Sequence, residues 1–343
     1  MFRFLTIFLL AFLIRVQPVI AYEFTQVNRL LDIIAQEYAE QVNLKQLSLK
    51  SGEALTRVDD GFKLYHSDSK AFLYHKNQLI STFMLPEGEN VRSWKKVICD
   101  ILDAGMKCSE RLVQKQNELE NETIKIILEN LDDYSRVDAA STEKTLIDYK
   151  IKDDILYVKL HGFNKGQAQN LRSIILQYPN AVGLILDLRD NHGGSFNEAL
   201  RTADLFLDEN LITYSSTRHQ TRRYYTSSRG DILKGKPIAV LANEYTASAA
   251  EIVAAALVEQ SRATLVGTKT FGKGSIQRHH KFDKDNIFLT SGYFFSPAGH
   301  KINKNGVMPQ ICTGVQNNCF KSDKENPQKT LLTAIRFIKK HLS

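Results

Sequence analysis

Apolar residues in the first part of this 343-residue chain follow a helical pattern with one interruption. From Phe24 to about Leu49 they recur every three or four residues, which predicts an amphipathic helix. Residues 62–85 instead carry short runs of Tyr, Phe and Leu and predict a small hairpin-like unit. A helix around Trp94 and a polar helical stretch over residues 110–130 follow. The pattern therefore predicts a mixed, mainly helical region.

From about residue 151 the pattern changes to strands that alternate with helices. The run 182–188 is almost continuously apolar, which is typical of a strand buried on both faces. Further strands are predicted over 155–160, 237–242 and 263–267, and helices over 168–178, 196–207 and 247–260. A last stripe of Leu331, Ile335, Ile338 and Leu342 predicts a helix that packs back or docks a partner. This alternation indicates an α/β core.

The N-terminal residues predict an export signal. One Arg precedes a short apolar run in residues 1–14, and Val19 and Ala21 offer a cleavage site. Residues 1–21 therefore resemble a signal peptide, with a retained anchor as the second interpretation. The predicted parts are the signal peptide 1–21, a mixed region 22–150, an α/β core 151–310 and a C-terminal loop and helix 311–343. Export is expected, to the periplasm or otherwise by secretion.

Charge and cysteine content narrow the classes of function. The net charge is +7, but the basic residues are scattered, and the short cluster 218–223 has few aromatic residues. We expect no nucleic-acid partner and no membrane span in the mature chain.

The four cysteines form two close pairs, which favours two short-range disulfides, although four cysteines allow three connectivities. These pairs are Cys99 with Cys108 and Cys312 with Cys319.

Ser248 lies where the predicted strand 237–242 turns into a helix. A serine at the first turn of a helix can present its hydroxyl to solvent, with backbone amides and the positive end of the helix dipole nearby. On local grounds alone, Ser248 or Thr246 is more commonly a helix cap.

Lys273 lies between Gly272 and Gly274, directly after another predicted strand. A lysine acts as a general base only when burial or nearby positive charge lowers its pKa. Residues 267–273 also match most of a phosphate-binding loop, but Gly274 replaces the hydroxyl residue that would hold magnesium. A strand pattern follows where that motif needs a helix, which argues against nucleotide binding.

A third segment, Asp187-Leu-Arg-Asp-Asn-His-Gly-Gly-Ser195, leaves the buried strand and turns into a helix. Backbone amides in such a turn can bind an oxyanion, although a glycine-rich turn can also serve close packing alone. Together with the serine and lysine segments, it resembles the C-terminal processing, or tail-specific, peptidases. Closing motifs at Tyr293, Pro297-Ala-Gly299 and Gly306-Val-Met-Pro309 agree with that family, as does the order of the segments.

The resemblance implies a Ser/Lys dyad and assigns residues to it. Ser248 is the implied nucleophile, Lys273 the general base, and Gln277 the residue that positions the lysine. The implied oxyanion donors are the amides of Ala249 and of Gly193 or Gly194, with Gly194 preferred. The implied fold is a crotonase- and Clp-like spiral of strand-strand-helix units, and no metal or organic cofactor is implied.

Two departures from the family leave alternatives open. We find no glycine-rich loop of a PDZ domain between Leu131 and Ile155, where relatives carry that module. The expected function is an exported serine endopeptidase that cuts proteins near unstructured C-terminal tails. The alternatives are a catalytically weak or inactive family member that acts as a binding or scaffold protein, and another acyl-transfer enzyme. An oligomer or adaptor that replaces the gating domain also stays open. Residue 250 is Ala where many relatives carry a second serine.

Overall fold

The computed structural model describes residues 22–138, 147–219, 222–282, 285–324, 326 and 328–342. The signal-peptide prediction lies outside these residues. The chain divides into two compact units. One comprises residues 22–31 with Asn43–Ile127, and the other comprises Asp32–Val42 with the described residues from Leu128 onward. The four-part division made from the sequence stays a prediction.

The first part of the chain consists of helices and a small antiparallel sheet. The strands β1, β2 and β3 pair in the order β1-β2-β3, so β1 is an edge strand. The elements are α1 (Thr25–Glu37), α2 (Leu44–Ser51), α3 (Glu53–Val58), β1 (Phe62–His66), β2 (Lys70–His75), β3 (Gln78–Met84), α4 (Val91–Cys108), α5 (Glu110–Gln114) and α6 (Gln116–Glu129). The hairpin prediction therefore becomes a three-stranded sheet.

The single helix predicted from Phe24 to Leu49 is wrong, because α1 ends at Glu37. The backbone amide of Ala39 donates to the carbonyl of Thr290 (2.9 Å) instead of continuing the helix. Asn43 then starts α2 as its N-cap, and its side chain accepts from the amide of Gln46 (2.9 Å). A long-range backbone bond and a local cap thus divide one apolar pattern into two helices.

Two sheets form the second unit. A six-stranded sheet has the order β14-β11-β10-β7-β6-β5, parallel except for β5, and a second sheet has the order β12-β13-β8-β9 with β4 paired to β13. The elements are β4 (Arg136–Asp138), β5 (Ile147–Lys152), β6 (Ile155–Leu160), α7 (Gln167–Gln177), β7 (Gly183–Asp187), α8 (Phe196–Asp204), β8 (Leu211–Thr217), β9 (Arg223–Thr226), β10 (Ile238–Ala242), α9 (Ala249–Glu259), β11 (Thr264–Gly267), β12 (Ser275–Phe282), β13 (Asp285–Phe295), β14 (Ile311–Cys312) and α10 (Lys329–Lys340). The predicted α/β class is confirmed.

Both faces of the six-stranded sheet are covered, as the continuous apolar run in β7 predicts. Leu184 and Leu186 pack into one cluster with residues of α7, α8 and α9. Ile185 belongs to a second cluster, in which Ile335 and Ile338 of α10 participate. Alternate residues of β7 therefore serve opposite faces. The last helix packs back on the core, which decides between the two interpretations of its apolar stripe.

Three neighbouring parallel strands place the predicted motifs together. The strands β7, β10 and β11 are adjacent, and they end at Asp187, Ala242 and Gly267. Because the carboxyl ends of parallel strands meet at one edge of a sheet, the loops that follow them are neighbours. Those loops carry the double glycine, Ser248 and Lys273. None of the helices in the described ranges is long and apolar enough to cross a membrane.

The cysteines follow only half of the predicted pairing. Cys312 and Cys319 form a disulfide, whereas Cys99 and Cys108 are free thiols, so that second pairing is wrong. Both free cysteines lie on α4, nine residues apart. Nine residues of helix rise by about 13 Å and turn through about 900°, so the side chains point from opposite faces. A disulfide needs Cα atoms within roughly 7 Å.

We expect Cys312→Ala to lower the free energy of unfolding by about 2 kcal/mol, because the disulfide closes a short loop in the unfolded chain. Urea unfolding of the oxidised protein measures the effect. Cys108→Ala is the matched control, since Cys108 is exposed and unpaired. Thiol titration of the unfolded, unreduced protein should find Cys99 and Cys108 only. Four reactive thiols would contradict the pairing.

Candidate active site

Ser248 occupies a strained turn at the start of α9. Its backbone has φ 56° and ψ −118°, a conformation that side-chain-bearing residues rarely adopt. The strain persists because the surrounding turn is fixed on both sides. The hydroxyl of Thr246, a fully buried residue, donates to the carbonyl of Leu188 (2.8 Å), and the amide of Ala247 donates to the carbonyl of Asn191 (2.9 Å). Ser248 itself is half-buried at the mouth of the helix.

The glycine pair lies against this turn. A Cβ atom added to Gly193 would lie 2.8 Å from the Cβ of Ser248, and one added to Gly194 would lie 2.5 Å from the carbonyl oxygen of Phe163. Both glycines have positive φ, at 100° and 140°. Only glycine therefore fits at either position. The close approach brings the backbone of the double-glycine loop next to the serine.

The backbone amides around Ser248 differ in whether they already donate a hydrogen bond. The amide of Gly193 donates to Oδ1 of the buried Asn191 (2.9 Å), whose Nδ2 in turn donates to the carbonyl of Leu160 (2.8 Å). The amides of Gly194 and Ala249 donate to no residue in the described part of the chain. Ala249 begins α9, where the first amides of a helix have no partner within the helix. Of the two candidate glycines, Gly194 is the one with an amide available to a ligand.

Glu251 connects the serine and lysine segments. This fully buried residue accepts at Oε2 from the amides of Ser248 (2.9 Å) and Lys273 (2.7 Å). Its Oε1 accepts from the amide of Gly272 (2.7 Å) and from the hydroxyl of Thr270 (2.6 Å). A single carboxylate oxygen therefore holds the backbones of the two predicted catalytic residues together. Burial raises the pKa of the Glu251 carboxyl.

The sequence did not single out Glu251 as a functional residue. The only available signal was an acidic residue three positions after Ser248, at the position that a capping box uses. A capping box predicts the contact with the Ser248 amide. It does not predict the contacts with Gly272 and Lys273, because those residues come from another strand's loop.

Lys273 is half-buried, and its environment favours the neutral amine. Burial lowers the pKa of Lys273, and the nearby positive charge of Arg136 lowers it further. The Nζ atom lies 5.1 Å from the centre of the Tyr134 ring. The direction of this shift is the one that a lysine needs to accept a proton near neutral pH.

Gln277 lies on β12 beside a β-bulge, where the pairing with β13 shifts between Ile276 and Gln277. Such a bulge re-aims the side chain that follows it. The Nε2 atom donates to the hydroxyls of Ser275 (3.2 Å) and Thr290 (2.8 Å). The Oε1 atom is buried and accepts from no group in the described ranges. This oxygen is therefore free to accept a hydrogen bond.

The segment before β4 contacts Gln277 indirectly, through Thr290. Oδ1 of Asp132 accepts from the hydroxyl of Thr290 (3.0 Å), which is the residue that binds the Gln277 amide. The same carboxylate caps its own turn through the amides of Tyr134 (2.8 Å) and Ser135 (2.9 Å). This turn also places the Tyr134 ring beside Lys273.

A match to a family model covers residues 154–313, and the family is described as peptidase family S41. Those residues form a peptidase family S41 domain. The S41 domain contains the serine, lysine, glutamine and glycine positions described above.

Curated relatives of the S41 domain are named as processing proteases. The carboxyl-terminal-processing protease of Synechocystis sp. is 39% identical over 156 residues, which are 45% of this chain and 36% of that protein. The carboxy-terminal processing protease CtpA of Bacillus subtilis is 34% identical over 157 residues, or 45% and 34% of the two chains. The chain thus spans little more than a third of these relatives.

One solved structure resembles the fold beyond the S41 domain. A lipoprotein from Streptococcus agalactiae matches with a TM-score of 0.60 and 15% identity, over 98% of this chain and all of that one. This likeness concerns the fold alone.

Proposed function

We propose that this chain is an exported serine endopeptidase that cleaves protein substrates near their C-termini through an acyl-enzyme. Ser248 is the nucleophile and Lys273 the general base. The observation that carries the proposal is the shared carboxylate of Glu251, which fixes the backbones of both residues at the mouth of α9. The S41 relatives, which are named as carboxyl-terminal-processing proteases, support the choice of substrate end.

The first half of the reaction forms an ester. Neutral Lys273 takes the proton of the Ser248 hydroxyl as its oxygen attacks the carbonyl carbon of the substrate. The amides of Gly194 and Ala249 donate to the oxyanion that develops, and the dipole of α9 adds to this stabilisation. When the intermediate collapses, the peptide C–N bond breaks and the lysine ammonium gives its proton to the leaving amine.

The second half returns the enzyme to its starting state. Lys273, neutral again, takes a proton from water as the water oxygen attacks the ester carbonyl. The C–O bond to Ser248 then breaks, and the proton passes from the ammonium to the serine oxygen. Oε1 of Gln277 accepts a hydrogen bond from the Lys273 amine and orients that amine toward Ser248. This bond gives a partner to the Gln277 oxygen, which otherwise has none in the described ranges.

Export is supported by chemistry at both ends of the chain. Residues 1–21 have the composition of a signal peptide, and the Cys312–Cys319 disulfide fits an oxidising compartment. We propose the bacterial periplasm as the compartment. Mass spectrometry of the protein recovered from cells should find Tyr22 at its N-terminus.

The direct test is cleavage of a folded domain that carries an unstructured tail. We expect the protein to release fragments from a C-terminal tail, with cut positions mapped by mass spectrometry. The matched control carries the same tail at the N-terminus of the same domain. Equal cutting of both tails would contradict the preference for C-termini, and the absence of any cut in a range of tail sequences would contradict the peptidase.

The pH dependence tests the role of Lys273. Because the base is neutral only above its pKa, activity should rise as the pH rises through the pKa of Lys273. The charge of Arg136 lowers that pKa, so Arg136→Gln should raise it and move the ascending limb of kcat/KM to higher pH. High salt should shrink the difference, since Arg136 is exposed.

Arg172→Gln is the control for this experiment, because Arg172 is an exposed residue on α7. Arg172→Gln should leave the pH of the ascending limb of kcat/KM unchanged. A limb that moves to lower pH in Arg136→Gln would contradict Lys273 as the titrating base.

A further inference from the structure

A cavity in the first unit lies beside β1, an edge strand. It has a volume of about 560 Å³ and is lined only by residues between Asn43 and His66. One wall is the whole of β1, and the other is formed by α2 and α3. We call it the β1 groove. Its volume is in the range of ligand sites in proteins, roughly 300–1,000 Å³.

The backbone of β1 alternates between its partner strand and the groove. The amide of Lys76 donates to the carbonyl of Gly61 (2.9 Å), and the amide of Ser67 donates to the carbonyl of Lys70 (2.8 Å), so residues 61 and 67 face β2. Alternation in an antiparallel pair then places residues 63 and 65 on the same side. Residues 62, 64 and 66 face away from β2.

The bonds of Phe62 confirm this direction. Its amide donates to the carbonyl of Asp59 (3.2 Å), and its carbonyl accepts from the hydroxyl of Thr56 on α3 (3.1 Å). The outward groups of Phe62 are thus satisfied by the helix side. Those of Leu64 and His66 bond to no residue in the described ranges. Two consecutive outward-facing residues of an edge strand are therefore open to an added strand.

The helices pack against the side chain of Leu64. At Gly52, between α2 and α3, an added Cβ would lie 2.6 Å from Cδ2 of Leu64, so the helix backbone lies against that side chain. Leu49 and Thr56 line the groove on the helix side. His66, at the other end of β1, is exposed.

The charges around the β1 groove are mainly positive. Lys45, Lys50 and Lys63 line it, against Glu53 as the acid of the lining. Lys45 pairs with Asp68 (3.7 Å) and Lys50 with Glu53 (2.7 Å), and each of these lysines is more than a third exposed. Exposed pairs of this kind contribute little, typically about 0–1 kcal/mol, so a ligand carboxylate can replace the partner.

We propose that the β1 groove binds an extended, acidic peptide segment, which adds to the sheet as a strand beside β1. The ligand exchanges backbone hydrogen bonds with Leu64 and His66. Its carboxylates contact Lys45 and Lys50. That this peptide belongs to a protein substrate rests on the proposed function, whereas binding itself does not.

The test uses the mature chain with Ser248→Ala, so that no probe is cut. The probe is a fluorescein-labelled peptide of alternating Glu and Val, and its binding is measured by fluorescence anisotropy. A peptide of alternating Lys and Val is the charge control. A third peptide, N-methylated at alternate amides, cannot form the strand. We expect the acidic peptide to bind and both controls to bind at least about tenfold more weakly.

Variants of the groove locate the site. The double variant Lys45→Glu, Lys50→Glu should weaken binding about tenfold or more, while Lys96→Glu, at an exposed lysine paired with Asp100 on α4, should not. His66→Pro removes the outward amide, and an outward-facing edge position tolerates proline. His66→Pro should weaken binding, whereas His66→Ala, which keeps the amide, should not.

Hydrogen exchange decides the mode of binding. We expect the acidic peptide to slow exchange at the amides of Leu64 and His66, with little change at Lys63 and Tyr65, which already face β2. Slow exchange at Leu64 and His66 in the free chain would mean that a segment of this chain fills the groove, and would overturn the proposal. So would equal binding of the acidic and basic peptides, or an unchanged affinity in the lysine double variant.

The result is independent of the peptidase. If the acidic peptide binds but the active chain cuts no tail, the proposed function fails and the groove stands. If tails are cut and no peptide binds, the groove fails alone.

Discussion

Replacing Ser248 with Ala is expected to abolish cleavage of an unstructured C-terminal tail, and replacing Lys273 with Ala is expected to do the same. Each change should lower kcat by about 10⁴-fold or more, because nucleophile and base act as a unit. For the same reason, the double variant should be no slower than either single one. Quantitative mass spectrometry of the released fragments measures the rates.

The controls separate chemistry from folding. Lys269→Ala changes a lysine of the same loop whose side chain lies over the Phe320 ring instead of Tyr134, and it should retain activity. Thermal unfolding should show that Ser248→Ala is folded, since alanine also fills this half-buried position. A folded Lys273→Ala protein with full activity would remove Lys273 as the base.

The strain at Ser248 adds a second readout. Because Ser248 has a positive φ that is costly for any residue except glycine, Ser248→Gly should relieve strain as well as remove the nucleophile. We expect the glycine variant to be inactive and at least as stable as the alanine variant.

Glu251→Gln is expected to lower both stability and turnover, although it changes one atom. A carboxylate accepts at both oxygens, and Glu251 receives two donors on each. Glutamine keeps one acceptor and turns an NH₂ group toward two donors. An unpaired buried donor costs about 1–3 kcal/mol, so the free energy of unfolding should fall by roughly 2–5 kcal/mol.

The loss of activity should appear in kcat more than in KM. Glu251 touches no substrate atom in this scheme and acts as a positioning residue, since it aligns the backbones of Ser248 and Lys273. At a temperature where the variant is fully folded, kcat should still be reduced, because either orientation of the amide disturbs one pair of donors.

Glu259→Gln is the matched control, because Glu259 ends the same helix and accepts from the amide of Ala298 (2.7 Å) near the surface. It should change stability by less than about 1 kcal/mol. If Glu251→Gln unfolds at the same urea concentration as the wild type and retains kcat, the shared carboxylate does not organise the site.

Most elements of the core could be predicted from the sequence. Strand β6 has the predicted bounds, α7 and β7 differ from prediction by one residue at each end, and β10 differs by one residue at its start. Their patterns are local, since burial on one or both faces repeats with the period of the element itself. The first helix was predicted too long for the complementary reason. Its end depends on a bond from Ala39 to Thr290, which no local pattern contains.

The candidate site also has parts that local sequence predicts and parts that depend on distant contacts. The sequence singled out Ser248, Lys273 and the glycine pair in short motifs next to strands, and the family resemblance assigned their roles and the role of Gln277. It offered Gly193 or Gly194 as an oxyanion donor, with Gly194 preferred. A physical reason for that preference is visible only in the fold, because the side chain of Asn191 occupies the Gly193 amide. The sequence also paired Cys99 with Cys108, because spacing alone does not show that both lie on one straight helix.

The sequence by itself determined the α/β class of the core, the residues of the proposed dyad and the glycines that their turns require, because these features are written within a few consecutive residues. Only the tertiary structure decided how those segments are joined. Glu251 contacts four groups from two separate loops, and Thr290 links Asp132 to Gln277. Hydrogen bonds between residues that are distant in sequence leave no periodic pattern, so they become visible only when the chain is folded.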